Sequence, residues 1–187
     1  MLVNSEMIMG IGEKAPDFSL LNYQNNDFKG KKFNLYENYS SVATVVMFIC
    51  NHCPYVIHIK SNLCELALTY QQKGITFIAI NSNDIVSHPQ DGPDYMLEQN
   101  LPFTYLFDHT QEVAKSYKAA CTPDFFVFNE NLKCFYRGRY DASRPGNDIK
   151  VTGNDLALAL DSLIANKQAY PGQQHPSIGC NIKWRKS

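Results

Sequence analysis

Two cysteines, Cys50 and Cys53, enclose Asn51 and His52 and are followed at once by Pro54. A pair spaced like this can exchange disulfides, take up an oxidising equivalent or bind a soft metal. In the redox reactions the nucleophile is the thiolate, so the chemistry needs a place that lowers a thiol pKa from its free value of about 8.5. A helix N-terminus is such a place: its unpaired N–H groups and the positive end of its dipole favour a negative charge, and thiol pKa values of roughly 3.5 to 7.5 result. Pro54 suits the first position of a helix and biases the residue before it away from helical geometry. Cys53 is therefore the expected N-cap and the candidate nucleophile, with Cys50 at the end of the strand before it.

The elements that must hold this pair are visible around it. Residues 42–50 are an unbroken β-branched and aromatic run, the pattern of a strand buried on both faces. From residue 54 to 73, Val56, Ile57, Ile59, Leu63, Leu66, Ala67 and Tyr70 recur at helical spacing, and Gly74 closes the segment. With a second strand at residues 75–81 this makes a βαβ unit. Upstream, after a short N-terminal tail, residues 11–20 alternate apolar positions around Pro16, and the polar stretch 22–32 completes a leading strand or hairpin. Downstream, 82–93 reads as a loop, 93–99 as a short helix, 104–107 as a strand and 111–118 as a helix. Residues 125–128 and 133–140 form a hairpin, and 154–166 a closing amphipathic helix with Leu156, Leu160, Leu163 and Ile164 inward. The order β, α, β, α, β, α, β, β, α predicts an α/β fold whose mixed central sheet is flanked by helices on both faces. No repeat or linker divides the chain, so 1–187 is expected as a single domain with 167–187 as a C-terminal tail.

Other residues with chemical potential have competing readings. His52 could, when protonated, stabilise the Cys53 thiolate, or be a ring in a turn with no role. A closed zinc site wants four ligands, and no second Cys-x-x-Cys or Cys-x-x-His pair accompanies the first, so neither metal nor another cofactor is expected. Cys64 within a helix and Cys134 within a strand read as small apolar residues. Arg137 and Arg139 could meet an anionic or peroxide substrate, but alternating strand arginines are more often solvated or paired with acids such as Asp141. Residues 81–84 with His88 and Asp91 lack EF-hand spacing and read as turn chemistry.

Composition bounds the partners. A chain of 187 residues can bury roughly 70% of the surface it exposes when unfolded, enough to fold without staples. Seventeen basic against eighteen acidic residues, spread along the chain, make nucleic acid an unexpected partner. The run at 42–50 is far short of the roughly 20 residues that span a bilayer, and no basic segment leads into an apolar one at the N-terminus. Six cysteines are too sparse for a disulfide scaffold, and a cytoplasmic, reducing location follows as the expectation.

Four stretches carry a more specific likeness: Cys50-Asn51-His52-Cys53-Pro54-Tyr55-Val56, Ala120-Cys121-Thr122-Pro123-Asp124-Phe125-Phe126, Tyr136-Arg137-Gly138-Arg139 and Gly179-Cys180-Asn181-Ile182-Lys183-Trp184. With Gly12-Glu13-Lys14-Ala15-Pro16-Asp17-Phe18, they make the chain resemble the thioredoxin superfamily, and within it the peroxiredoxin-like branch of the alkyl hydroperoxide reductase / thiol-specific antioxidant (redoxin) proteins. The resemblance implies a thioredoxin fold with an N-terminal β extension. In thioredoxins an aromatic strand residue stands five places before the nucleophilic cysteine, as Phe48 stands before Cys53. Cys53-Pro54-Tyr55-Val56 resembles the Cys-Pro-Tyr-Cys site of glutaredoxins with Val56 in place of the second cysteine. Peroxiredoxins place their peroxidatic cysteine where Val56 falls, and their Pro-x-x-x-Thr/Ser-x-x-Cys motif precedes neither Cys50 nor Cys53.

With Val56 in that place, a disulfide partner for Cys53 must come from elsewhere. Cys50 is nearest in sequence. Cys121 follows, because Thr122-Pro123 resembles the cis-proline loop that faces the active site across the superfamily. Cys180 could swing in from the tail as a resolving thiol, or the tail could pack statically through Ile182 and Trp184, which is the preferred expectation. The resemblance further implies substrate contacts at His52, Pro54, Thr122 and Pro123. It implies thiol-disulfide oxidoreductase, glutathione-linked monothiol transferase or thiol-dependent peroxidase (antioxidant) activity on protein or low-molecular-weight thiols and disulfides or on peroxides. By analogy with related redoxins it also implies a homodimer. The competing expectation is a non-catalytic module of the same fold that holds a metal or partner at Cys50, Cys53 and Cys121.

Overall fold

The computed structural model describes residues 1–23 and 30–186. The middle of the polar stretch, 24–29, lies outside the described residues, but the strands on either side of it, β2 (Ser19–Asn22) and β3 (Lys32–Asn34), pair antiparallel as a hairpin. β1 (Leu2–Asn4) precedes them, and a helical turn α1 (Leu35–Asn38), capped by the Asn34 side chain, follows.

The run at 42–50 becomes β4 (Ala43–Phe48), with every residue buried. α2 (Pro54–Gln71) and β5 (Thr76–Asn81) complete the βαβ unit, and β5 lies parallel to β4. Then come a 3-10 turn at Pro89–Asp91, α3 (Pro93–Leu97), β6 (Thr104–Phe107) and α4 (Glu112–Tyr117). After these the chain forms β7 (Cys121–Thr122), β8 (Asp124–Asn129), β9 (Cys134–Gly138), α5 (Asn154–Ile164) and β10 (Ile178–Asn181). The main sheet runs β3-β2-β6-β5-β4-β8-β9, with β8 antiparallel to β4, so it is mixed as expected and β4 is interior. The β2–β3 hairpin is the N-terminal extension, joined antiparallel to β6 at one edge.

Side-chain alternation along β4 splits the core into two layers. Val45 and Met47 pack with Ile59, Leu63 and Ala67 of α2 and Leu156 and Leu160 of α5. Val46 and Phe48 pack on the other face with Leu35, Ala114 and Tyr117. Phe48 meets the rings of Tyr117 and Phe126 edge-on, with centroids 5.6 and 5.9 Å away. Each such buried side chain contributes about 1.5–3 kcal/mol, which fixes the strand whose end carries the cysteines.

α2 buries Val56, Ile59, Leu63, Ala67 and Tyr70, the i, i+3, i+4 stripe of one face. Ile57, predicted on that face, is exposed, because a residue one step beyond Val56 lies about 100° around the helix. Ile164 departs in the same way: it is the exposed last residue of α5, which ends two residues before the predicted boundary.

A second sheet, β1-β10-β7, alters the reading of both termini. The N-terminal segment and the segment 167–187, each expected as a tail, meet as strands: Leu2 pairs with Cys180 and Cys180 with Thr122. Ile182 is buried, as static packing requires, whereas Trp184 is exposed. Among the described residues, no helix is long and apolar enough to cross a membrane.

Candidate active site

The end of β4 delivers Cys50 and Cys53 to the start of α2. Ile49 N–H still donates to Ile80 O at 3.0 Å, after which the chain leaves the sheet. Cys53 is the N-cap, with φ −67° and ψ 122°, and Pro54 stands at the first helical position. The Cys53 carbonyl accepts from Val56 N–H and Ile57 N–H, both at 3.0 Å. Its thiol makes no cap hydrogen bond and lies 3.2 Å from Thr122 O. The Thr122–Pro123 peptide is cis, as the resemblance implied, and the Thr122 hydroxyl lies 3.5 Å from Cys50 Sγ. Cys53 is 0% and Cys50 2% exposed.

These contacts act in opposite directions on the two thiols. A hydrogen bond from Cys50 pulls the Cys53 thiol well below its ordinary value, and the Thr122 hydroxyl and the Cys180 thiol and N–H pull the same way against burial. Thr122 O, which accepts the proton of the neutral thiol, is outnumbered by these donors. Cys50 is pushed far up by giving that hydrogen bond to Cys53, then by burial and the nearby Asp91 charge. Cys180 is pushed up to about 11, first by burial and then by its hydrogen bond to Cys53. Cys121 is raised strongly by burial, and its sulfur sits 3.8 Å from Pro123 O. The structure thus places Cys50, Cys53, Cys180, Thr122 and Pro123 around one point, with Cys121 beside it.

Asp91 anchors the other side. Its carboxylate is fully buried and accepts from Asn51 N–H at 2.9 Å and from the Asn83 amide at 2.8 Å, while His52 Nδ1 lies 2.6 Å away. Asn51 is held further by Tyr105, whose hydroxyl donates to Asn51 Oδ1 at 2.9 Å. His52 stacks on His88 at 5.2 Å and lies 3.9 Å from Cys50 Sγ. It is not an unattached turn ring, because it joins the turn to Asp91. Asp91, expected as turn chemistry, is instead part of a polar cluster with Asn81 and Asn83, and the signal for it was Asn81 ending a buried strand with Asn83 two residues beyond.

Among the described residues, the convergent metal-ligand atoms are those of Cys50, His52 and Asp91, within 4.8 Å of one another. They are one short of a closed zinc site, His52 and Asp91 are already joined, and Cys53 and Cys121 are outside the group. Arg139 pairs with Asp155 at 2.6 Å, not with Asp141, which accepts backbone N–H groups of Ser143, Thr152 and Gly153. Cys134 is buried in β9 and Cys64 half-buried in α2, as expected of small packing residues.

Comparison with known proteins sets this geometry among relatives. No curated protein matches the chain. An uncharacterized conserved protein of Geobacillus kaustophilus is 49% identical over 100% of this chain and 98% of its own, with a TM-score of 0.94. A hypothetical protein of Sinorhizobium meliloti is 39% identical over 98% of this chain and 99% of its own, with a TM-score of 0.91. A thiol:disulfide interchange protein of the thioredoxin family from Chlorobium tepidum shares the fold at 17% identity, with a TM-score of 0.58 over 81% of this chain and 95% of its own. The fold is the thioredoxin fold, and the model of the AhpC/TSA family matches residues 11–136, from ahead of the N-terminal extension into β9, so the chain belongs to that family.

Proposed function

We propose that this protein is a thiol-disulfide oxidoreductase in which the Cys53 thiolate attacks a disulfide or a peroxide. The observation that carries the reading is the seating of Cys53 at the N-cap of α2, with its sulfur 3.2 Å from the carbonyl oxygen of Thr122 in the cis Thr122–Pro123 loop. Cys50, Thr122 and Cys180 all stabilise the charged form of Cys53, which the reaction requires. Attack on R–S–S–R′ forms a Cys53–S–S–R bond and expels R′–S⁻; attack on a peroxide R–O–O–H forms Cys53–SOH and expels R–O⁻, which takes up a proton. Small oxidants suit a sulfur with no exposed surface, and the cis-proline loop supplies the wall against which they would lie. Six unpaired thiols fit a reducing, cytoplasmic setting with low-molecular-weight or protein thiols as reductants.

Alkylation of the reduced protein with a limiting reagent between about pH 4 and pH 9, mapped cysteine by cysteine, tests the assignment. Cys53 is expected to label at acidic pH, well ahead of the other five thiols. Labelling of Cys53 no faster than Cys64 would overturn the catalytic reading and leave the binding module, which tight stoichiometric metal at the Cys50–Cys53 turn would then support.

A further inference from the structure

The C-terminal strand β10 is fixed over the reactive thiol. Its register sets Cys180 opposite Thr122, whose carbonyl oxygen lies 3.2 Å from Cys53 Sγ, and Cys180 packs against the core cluster that contains Cys53. The strand is held on every side. Ile182 N–H donates to Ala120 O at 3.1 Å, Asn181 N–H to Met1 O at 2.9 Å and Lys183 N–H to Asn83 Oδ1 at 2.8 Å. Gly179 permits the approach, since a Cβ there would fall on Thr122 O. Cys180 is partly exposed, whereas Cys50, Cys53 and Cys121 are buried.

Resting on the assignment of Cys53 as nucleophile, we propose that Cys180 is its disulfide partner, so that the oxidised protein carries a Cys53–Cys180 bond joining β10 to the start of α2. After a peroxide has converted Cys53 to the sulfenic acid, Cys180–SH condenses with Cys53–SOH, forming the S–S bond and releasing water. After a disulfide has left Cys53–S–S–R, the Cys180 thiolate attacks Cys53 Sγ and expels R–S⁻. Both routes oxidise Cys180 and reduce the enzyme-bound adduct, with no further reactant.

Cys50 is the weaker partner for two reasons on this structure. Its turn is locked by Asp91 and Tyr105 through Asn51, and its ionisation is opposed by the Asp91 charge. In the Cys53–Cys180 bond the partly exposed residue is Cys180. An incoming thiol attacks there and expels Cys53, the lower-pKa and faster leaving thiolate; a second thiol then releases Cys180 and departs as R–S–S–R.

The test is peptide mapping of the intact chain after one equivalent of hydrogen peroxide or oxidised glutathione, with free thiols blocked at acidic pH. A Cys53–Cys180 linked peptide as the main product supports the proposal. A linkage of Cys53 to Cys50 or Cys121, or a persistent Cys53 adduct with Cys180 still free, overturns it while leaving Cys53 as nucleophile. Unreacted Cys53 overturns both. Cys180→Ser, oxidised with glutathione disulfide, is expected to hold the Cys53–glutathione adduct at least about tenfold longer than the parent chain; an unchanged lifetime counts against Cys180. The parent-chain map does not depend on that variant folding.

Discussion

Cys53, at the junction of β4 and α2, and Cys134, in the β8–β9 hairpin, are both removed from solvent, yet their sulfurs are pushed in opposite directions. Cys134 is raised to about 12, chiefly by burial, and its sulfur donates to the Tyr136 carbonyl at 3.7 Å, an acceptor that favours the neutral thiol. Cys53 carries a burial penalty too, but donors from Cys50, Thr122 and Cys180 overcome it. Burial alone makes a thiol inert; burial among aimed donors at a helix N-terminus makes it a thiolate. The site is therefore defined by what three separate segments point at one sulfur, not by the cysteine pair itself.

The largest expected effect breaks the comparison outright. Cys53→Ser should lower the rate of oxidised-glutathione reduction on the order of 10³-fold or more, the scale of losing a nucleophile, whereas Cys134→Ser should change it less than about twofold. Comparable losses in the two variants would mean that the contrast between the sulfurs has no bearing on activity.

The stability of the fold should carry the same contrast in its pH dependence. A depressed folded pKa means that the unfolded state holds the Cys53 proton over a range where the native state has lost it, so stability from this group rises with pH. It is fully present above the unfolded value of about 8.5 and is lost as pH falls through the folded value. The difference in urea stability between the parent chain and Cys53→Ser should grow from acid toward that value. For Cys134, with the folded pKa raised, the sign reverses: its contribution is lost only above about pH 8.5, where the unfolded thiol ionises first. A difference for Cys53→Ser that is flat with pH would contradict the donor account.

Asp91→Asn sharpens the role of the neighbouring turn. It removes the charge that helps to raise Cys50 and weakens a buried carboxylate network to Asn51, Asn83 and His52. A loss of about 1–3 kcal/mol in urea unfolding is expected, the cost of disturbing a satisfied buried group. Cys50 should also alkylate at lower pH than in the parent chain, a change that destabilisation alone does not produce.

Much of this arrangement was legible in the chain. The buried run ending at Cys50, the Pro54 start of α2 and the i, i+3, i+4 stripe behind it are local patterns, and they placed Cys53 at the helix cap. The donors were not legible. Cys180 lies 127 positions from Cys53 in the sequence and reaches it only because β10 pairs with the two-residue strand β7, whose length gives no periodic signal. Asp91 sits in a stretch rich in Asn, Asp and Ser, where turn chemistry and a buried polar hub have the same composition. Ile57 and Ile164 show the other limit: apolar identity marks a helix, but one residue of rotation decides which side of it is covered.

The smallest expected effect concerns Cys64, on the same helix as Cys53 but eleven residues further along, about 16 Å up the axis. Its thiol is raised chiefly by burial, with the nearby Lys60 charge pulling the other way. Alanine has the better helix propensity and little buried surface is lost, so Cys64→Ala should alter stability by no more than about 0.5 kcal/mol in either direction. It should leave the pH profile of Cys53 alkylation unmoved, because the field of a helix terminus falls off within its first turn and the donors around Cys53 come from Cys50, Thr122 and Cys180. A shift in that profile would show that the body of α2, and not the three segments meeting at its start, sets the charge on Cys53.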